Sequence, residues 1–151
     1  MSFLPDDPTI AALIEASLRA LQVECPPAYA QLCALMAGRE VLLWIDDERA
    51  VIVFDGGEAR VVPEARAPCI WMRTSRQAIL DLIDARLTLS EAVLDGAIAL
   101  QGRVEDLALF HEGFLTYLRG AVRAPSFPAL LDRFRRAPAR LGHIHPTRYT
   151  D

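Results

Sequence analysis

A few side chains have the types that could do chemistry, but their spacing matches no reaction centre. His143 and His145 alternate along the chain, so an extended backbone would place both imidazoles on one side, as in some zinc sites. Since no cysteine or paired carboxylate stands at ligand spacing, we expect no metal there. The run Asp46-Asp47-Glu48 lacks the alternation and the glycine of a calcium loop, which is typical of a solvated turn.

Motifs of known catalytic sites are missing from the sequence. It contains no G-x-S-x-G elbow, no glycine-rich phosphate loop and no H-E-x-x-H helix. All 16 basic residues are arginine, which removes lysine-based covalent chemistry. We therefore expect a protein that is not an enzyme and has no catalytic residues, although unrecognised chemistry stays open as a weaker alternative.

Composition indicates a single cytoplasmic domain. A chain of 151 residues can bury one core, and no apolar stretch approaches the ~18 residues that cross a bilayer. The net charge of −4 argues against a nucleic-acid-binding face. Three cysteines without C-x-x-C spacing, and an N-terminus unlike a secretory signal, favour free thiols in the cytoplasm. The exclusive use of arginine is typical of a GC-rich bacterial genome.

The first half of the sequence predicts two helices and then strands. Asp7 and Pro8 fit the start of a first helix, and Pro27 the start of a second that Gly38 closes. Short runs rich in β-branched and aromatic residues then predict four strands, the first three as an antiparallel meander. These runs are residues 41–45, 50–54, 59–62 and 69–72.

The second half predicts helices around one more strand. Thr74 or Ser75 can cap a helix, and Thr88 with Glu91 matches a capping box. Gly96 ends that helix, and residues 97–100 are predicted as the fifth strand. A long helix follows Gly102, with its apolar stripe predicted through Val104, Leu107, Ala108, Phe114, Leu115, Leu118 and Val122. Ser126 then caps a last helix that carries Leu130, Leu131 and Phe134.

The order of these elements resembles the sterol carrier protein 2 family of lipid-transfer domains. The resemblance covers residues 40–122. It depends on the two helices in the segment TSRQAILDLIDARLTLSEAVL and on Leu107 and Phe110 of the long helix. It also depends on the order of elements after the meander, in which a helix, a glycine, a strand, a second glycine and a helix follow one another. Within that order the matching positions are Ala92, Gly96, Ile98, Leu100 and Gly102.

The resemblance implies an α+β fold: a five-stranded, largely antiparallel sheet with helices that enclose an apolar tunnel. It implies no cofactor, and an apolar small molecule as partner: a fatty acid, acyl-CoA, sterol or quinone. We expect one lipid-binding domain over residues 1–124, with residues 125–151 as a helix and tail packed on it or extending from it. The C-terminal sequence RYTD does not match the peroxisomal tripeptide of eukaryotic members.

Apolar side chains of the strands and of the long helix are the candidates for the cavity wall. His111 lies within the predicted stripe and is interpreted either as a core histidine or as an anchor for a lipid headgroup or quinone oxygen. Trp44 could join the wall from strand one, although core packing is the more common role. The candidate ligand-binding residues are Leu43, Val53, Trp71, Met72, Ile98, Leu100, Leu107, Phe110, His111, Phe114 and Leu118.

Two further interpretations concern partners. Arg133, Arg135, Arg136 and Arg140 form a basic cluster that is either a solvated helix face or a transient contact with an anionic membrane surface. The function predicted first is intracellular lipid binding or transfer. The alternative is a non-catalytic interaction module with the same fold and a collapsed cavity, which dimerises or docks through its sheet edge or its long helix.

Overall fold

The computed structural model describes residues 9–136. The predicted helix start at Asp7 and Pro8 lies outside this range, as do Arg140, His143 and His145. The first helix described, α1 (Ile10–Glu24), begins after Thr9, whose side chain accepts a hydrogen bond from the amide of Ala12. The second helix is α2 (Pro26–Leu35), with proline in its first turn as predicted.

Five strands form one mixed sheet in the order β3-β2-β1-β4-β5. The pairs β1 with β2 and β2 with β3 are antiparallel, which confirms the predicted meander. The strands are β1 (Glu40–Ile45), β2 (Glu48–Asp55), β3 (Glu58–Val62), β4 (Ile70–Thr74) and β5 (Ala99–Gly102).

The prediction of a largely antiparallel sheet is wrong at the centre, where β1 and β4 run parallel. A parallel neighbour requires a connection that crosses back over the sheet, and here β2, β3 and residues 63–69 provide it. The amide of Cys69 donates to the carbonyl of Glu40 at 3.0 Å, which brings β4 back to the start of β1. The strand β1 therefore pairs with β2 on one side and with β4 on the other.

The later helices begin where local capping predicts. The side chain of Ser75 accepts from Ala78 before α3 (Arg76–Ile83), and Thr88 with Glu91 forms the complete capping box of α4 (Leu89–Leu94). The remaining helices are α5 (Val104–Ala121) and α6 (Phe127–Arg136). Within residues 9–136, no helix is both long and apolar enough to cross a membrane.

The fifth strand is two residues later than predicted. The amide of Ile98 donates to Ala92 at 3.1 Å, and the carbonyl of Ala97 accepts from the Thr74 hydroxyl at 2.9 Å. These backbone groups are therefore not available to the sheet, and β5 begins at Ala99. Gly102 ends the strand next to β4, where a Cβ atom on residue 102 would lie 2.7 Å from the Cys69 carbonyl oxygen.

Candidate functional site

An apolar cavity of about 150 Å³ lies between one face of the sheet and the helices. Strand alternation supplies its floor, because every second side chain of a strand points to the same face. Helices α1, α2, α3, α5 and α6 supply its walls. The floor consists of Val41, Leu43, Ile45, Ile52, Phe54 and Met72.

The first helix contributes one wall through the stripe that its sequence predicts. Leu13, Ile14, Ser17 and Leu18 recur at helical spacing and line the cavity together. This helix packs against β2 and β3, so its apolar face meets the sheet at the side opposite to β5. The amide of Ile10 donates to the Glu48 carboxylate at 2.9 Å and ties the start of α1 to β2.

The packing face of α5 differs from the predicted stripe. Val104 and Val122, which were placed at the ends of that stripe, are 81% and 74% exposed. The buried face instead contains Gly113 and Gly120, because the absence of a side chain lets α1 and α2 approach closely. A Cβ atom on Gly120 would lie 2.6 Å from Leu21 Cδ1 and 2.8 Å from Ala28 Cβ. A glycine adds nothing to a count of large apolar side chains, so the predicted stripe includes Phe114 and Leu118, which line the cavity, but omits the glycine side of the packed face.

An aromatic row continues from this face of α5 to the last helix. Phe110 and Phe114 stack with ring centroids 6.0 Å apart, and Phe114 and Tyr117 with centroids 6.4 Å apart. Tyr117 then meets Phe127 of α6 edge to face at 6.2 Å. These contacts add to apolar burial and fix the orientation of the Tyr117 ring.

Helix α6 covers the cavity with its apolar side chains. Phe127, Leu130, Leu131 and Phe134 line the cavity, and the opposite side of α6 carries Arg133 and other polar residues. The helix packs against α1 and α3. Within the described residues, α6 is the C-terminal element of the cavity wall.

Polar contacts hold α6 at each end. The amide of Ser126 donates to Glu24 Oε1 at 2.8 Å, and its hydroxyl donates to Glu24 Oε2. The Ser126 hydroxyl, which the sequence predicts as the cap of α6, therefore donates its hydrogen bond to α1 instead. Arg135 Nη2 donates to both carboxylate oxygens of Asp84 at 3.0 and 3.2 Å, which links the last turn of α6 to α3.

One pair of polar side chains interrupts the apolar wall. The hydroxyl of Tyr117 donates to Ser17 Oγ at 2.7 Å, and Ser17 in turn donates to the carbonyl of Ile14 at 2.8 Å. Both residues line the cavity, and Ser17 is 5% exposed. Burial raises the pKa of Tyr117, and the hydrogen bond with Ser17 lowers it to a smaller extent. The phenol is therefore neutral at physiological pH.

Sequence reasoning did not select either member of this pair. Ser17 and Tyr117 stand 100 positions apart, and each is the polar member of an otherwise apolar helical row. That interruption of both rows was the available signal. A serine three residues after Ile14 bonds locally in many helices, so the interruption by itself did not predict a contact between α1 and α5.

The structure brings some of the candidate ligand-binding residues to the cavity and places others elsewhere. Leu43, Met72, Phe110, Phe114 and Leu118 line it. Val53 and Trp71 point to the opposite face of the sheet, since Ile52 and Met72, their neighbours in sequence, occupy the cavity face. The candidates that are not among the lining residues are Val53, Trp71, Ile98, Leu100, Leu107 and His111.

Trp44 also lies on the opposite face. The guanidinium groups of Arg49 and Arg73 stand 5.9 and 5.8 Å from its ring centroid, as cross-strand neighbours on β2 and β4. Its role in the fold is this cation–π packing. Among residues 9–136, no group of three potential metal-ligating side chains is close enough to hold an ion.

Solved structures share this architecture. A "UbiJ-SCP2 Ubiquinone synthesis protein" superimposes with a TM-score of 0.57 and 19% identity, covering 76% of this chain and 96% of that one. The sterol carrier protein domain 2 of Helicoverpa armigera superimposes with a TM-score of 0.57 and 16% identity over 78% of this chain and 94% of its own. Sterol carrier protein 2 from Yarrowia lipolytica, in its apo form, gives a TM-score of 0.53 and 12% identity over 83% and 99%.

The likeness is one of three-dimensional structure. No family model matches the sequence, and no curated protein matches it. The five strands, the helices packed on the sheet and the superpositions agree with the resemblance found in the sequence, apart from the parallel pair of β1 and β4. The chain has the fold of the sterol carrier protein 2 domains.

Proposed function

We propose that this protein binds a lipid and holds the apolar part of the ligand in the cavity between the sheet and helices α1, α5 and α6. The observation that carries the proposal is the wall itself: aliphatic and aromatic side chains surround about 150 Å³ of space, and among the lining residues that the structure describes the polar side chains are Ser17 and Tyr117. Water finds few hydrogen-bond partners on such a wall, whereas burial of an apolar group there is favourable by ~0.8 kcal/mol per methylene.

The volume indicates how much of a ligand fits before the protein moves. An apolar cavity of about 150 Å³ accepts a molecule the size of benzene, whereas sites for larger ligands measure roughly 300–1,000 Å³. The cavity thus accommodates one end of a fatty acyl chain, a sterol-like ring or an isoprenoid unit. The rest of a whole lipid must extend beyond this volume, and movement of α6 away from α1 and α3 makes room for it.

Displacement of α6 fits the way this helix is attached. The apolar side of α6 faces the cavity. A ligand that takes the place of Phe127, Leu130, Leu131 and Phe134 therefore gives the rest of the cavity wall the same kind of apolar contact. The polar ties at Glu24 and Asp84 are exposed and exchange readily with water. A displaced α6 is a basic amphipathic helix, suited to transient contact with an anionic membrane surface through Arg133, Arg135 and Arg136. The Arg135 pair with Asp84 must open for that contact.

The proposed role is carriage or presentation of the ligand inside the cell, in the cytoplasm, without catalysis. The neighbours named as sterol carrier proteins support an apolar cargo for this fold. A dimerising module with a collapsed cavity finds less support, because the cavity is open between packed walls.

Displacement of a fluorescent fatty-acid probe tests the proposal, with two tryptophan variants as a matched pair. Leu43→Trp places an indole in the floor of the cavity, whereas Val53→Trp places one on the opposite face of the adjacent strand. We expect wild type and Val53→Trp to bind the probe at micromolar concentration, and Leu43→Trp to lose at least tenfold in affinity while remaining folded by circular dichroism. Native mass spectrometry of wild type should show a co-purified lipid. No probe binding by wild type, or equal binding by both variants, would contradict the proposal.

A further inference from the structure

The hydroxyl groups of Ser17 and Tyr117 have a hydrogen-bonding capacity that is already half used. A serine or tyrosine hydroxyl donates one hydrogen bond and accepts up to two. Tyr117 donates to Ser17 Oγ at 2.7 Å, and Ser17 donates to the Ile14 carbonyl at 2.8 Å. Both protons are therefore committed within the protein, and only acceptor positions remain free.

The pair is held in this arrangement by its surroundings. Ser17 is 5% exposed on α1, and the carbonyl that receives its proton belongs to the same helix. The Tyr117 ring stacks on Phe114 of the same helix, at 6.4 Å between ring centroids, and its hydroxyl is bonded to α1 through Ser17, so neither contact depends on α6. Neither hydroxyl can turn toward the cavity as a donor without giving up a hydrogen bond that it already makes.

We infer that Ser17 and Tyr117 form a specificity site that favours an apolar ligand with a neutral hydroxyl group and binds that hydroxyl as a hydrogen-bond donor. This inference depends on the proposed function, since it concerns the ligand of the same cavity. A ligand hydroxyl gains a bond to the free acceptor positions. A ligand ether or carbonyl oxygen finds no free donor, and its desolvation is not compensated.

A carboxylate is disfavoured at this position for two reasons. It also needs donors, and it would bring a charge into an apolar wall that has no cationic side chain among its lining residues in the range 9–136. A fatty acid is thus expected to bind with its tail inward, whereas an alcohol is expected to bind with its hydroxyl inward.

Decanol and its methyl ether are the ligands that test the inference, each measured by displacement of the fluorescent probe. Wild type should bind the alcohol about tenfold more tightly than the ether, the equivalent of one hydrogen bond. Ser17→Ala frees the Tyr117 proton, so the ether should gain affinity and the ratio should fall to about one. If Ser17 served only to connect α1 with α5, its replacement would not raise the affinity for the ether in particular.

Two further variants keep the test decisive. The double variant Ser17→Ala with Tyr117→Phe removes both hydroxyls together, which protects the fold from an unpaired buried group, and its ratio should be one or lower. Tyr29→Phe is the control, because Tyr29 is buried and accepts from the Ala59 amide at 2.8 Å but does not line the cavity; its ratio should equal that of wild type.

The outcomes separate the two proposals. If wild type binds neither decanol nor the ether, lipid binding itself is wrong. If wild type binds both equally, or prefers the ether, the cavity takes apolar ligands but the specificity site is refuted. A ratio that stays near tenfold in the double variant likewise refutes it.

Discussion

Asp106 in the first turn of α5 accepts a hydrogen bond of 2.9 Å from Nε of Arg39, the residue before β1. The side chains of Arg39 and Asp106 are only 26% and 11% exposed. This ion pair connects elements that are far apart in sequence, and it holds the start of α5 next to the start of β1, a strand of the cavity floor.

Removal of that carboxylate should destabilise the fold. We expect Asp106→Ala to lower the free energy of unfolding by about 1–3 kcal/mol, because Arg39 is left partly buried without its partner. Glu105→Ala is a matched control: Glu105 lies in the same turn and pairs with Arg103 at 2.7 Å, but the two side chains are 63% and 77% exposed. Urea unfolding should show a loss below about 1 kcal/mol for the control. Equal losses would mean that the loss reflects the helix terminus alone.

The glycines of α5 should differ in their tolerance of alanine. At Gly120 the added methyl group would lie 2.8 Å from Ala28 Cβ, which cannot move without its helix, and 2.6 Å from Leu21 Cδ1. We therefore expect Gly120→Ala to cost about 1–3 kcal/mol despite the better helix propensity of alanine. At Gly113 the nearest atoms are Met36 Cγ and Leu32 Cδ1, at 3.2 and 3.3 Å, which belong to side chains that can adjust by a few tenths of an ångström. Gly113→Ala should therefore be close to neutral in thermal unfolding. A stabilising Gly120→Ala would show that α1 and α5 do not pack this closely.

The attachment of α6 to α1 should depend on pH. The Ser126 side chain and then its amide lower the pKa of Glu24 from its usual value of 4.5, while burial acts in the opposite direction. Because the folded pKa is the lower one, the contact is fully present above about pH 4.5 and is lost as the pH falls through that lowered value. The amide proton shift of Ser126 in NMR should follow this titration.

The matched variant for that titration is Glu24→Gln. It keeps the size of the side chain but has no carboxyl to protonate, so the Ser126 amide should no longer titrate in acid. A wild-type midpoint at or above the ordinary value for glutamate would contradict the contact.

The helix starts at Ser75 and Thr88 were predictable because each cap is a hydrogen bond across three residues. The strand meander was predictable for a similar reason, since short turns join neighbouring strands. The floor residues Leu43 and Met72 follow from alternation once the strands are known. Alternation also assigns Trp71 to the opposite face, because it adjoins Met72 in sequence.

Three features were not predictable in this way: the face of α5 that packs, the parallel pairing of β4 with β1, and the hydrogen bond between Ser17 and Tyr117. Each depends on which distant segment lies nearby: Gly120 packs closely because Leu21 and Ala28 lie opposite, and Ser17 accepts a hydrogen bond because the Tyr117 hydroxyl of α5 lies 2.7 Å away. No local pattern encodes such a distance.

By itself the sequence determined the element types, their order, the caps of α3 and α4 and the apolar side of α6, because these depend on hydrogen bonds and periodicities within a few residues. Only the tertiary structure decided how the helices close over the sheet, how much space they leave, and which polar atoms face it. Those properties depend on side-chain volumes and contacts between segments that meet only after the chain has folded.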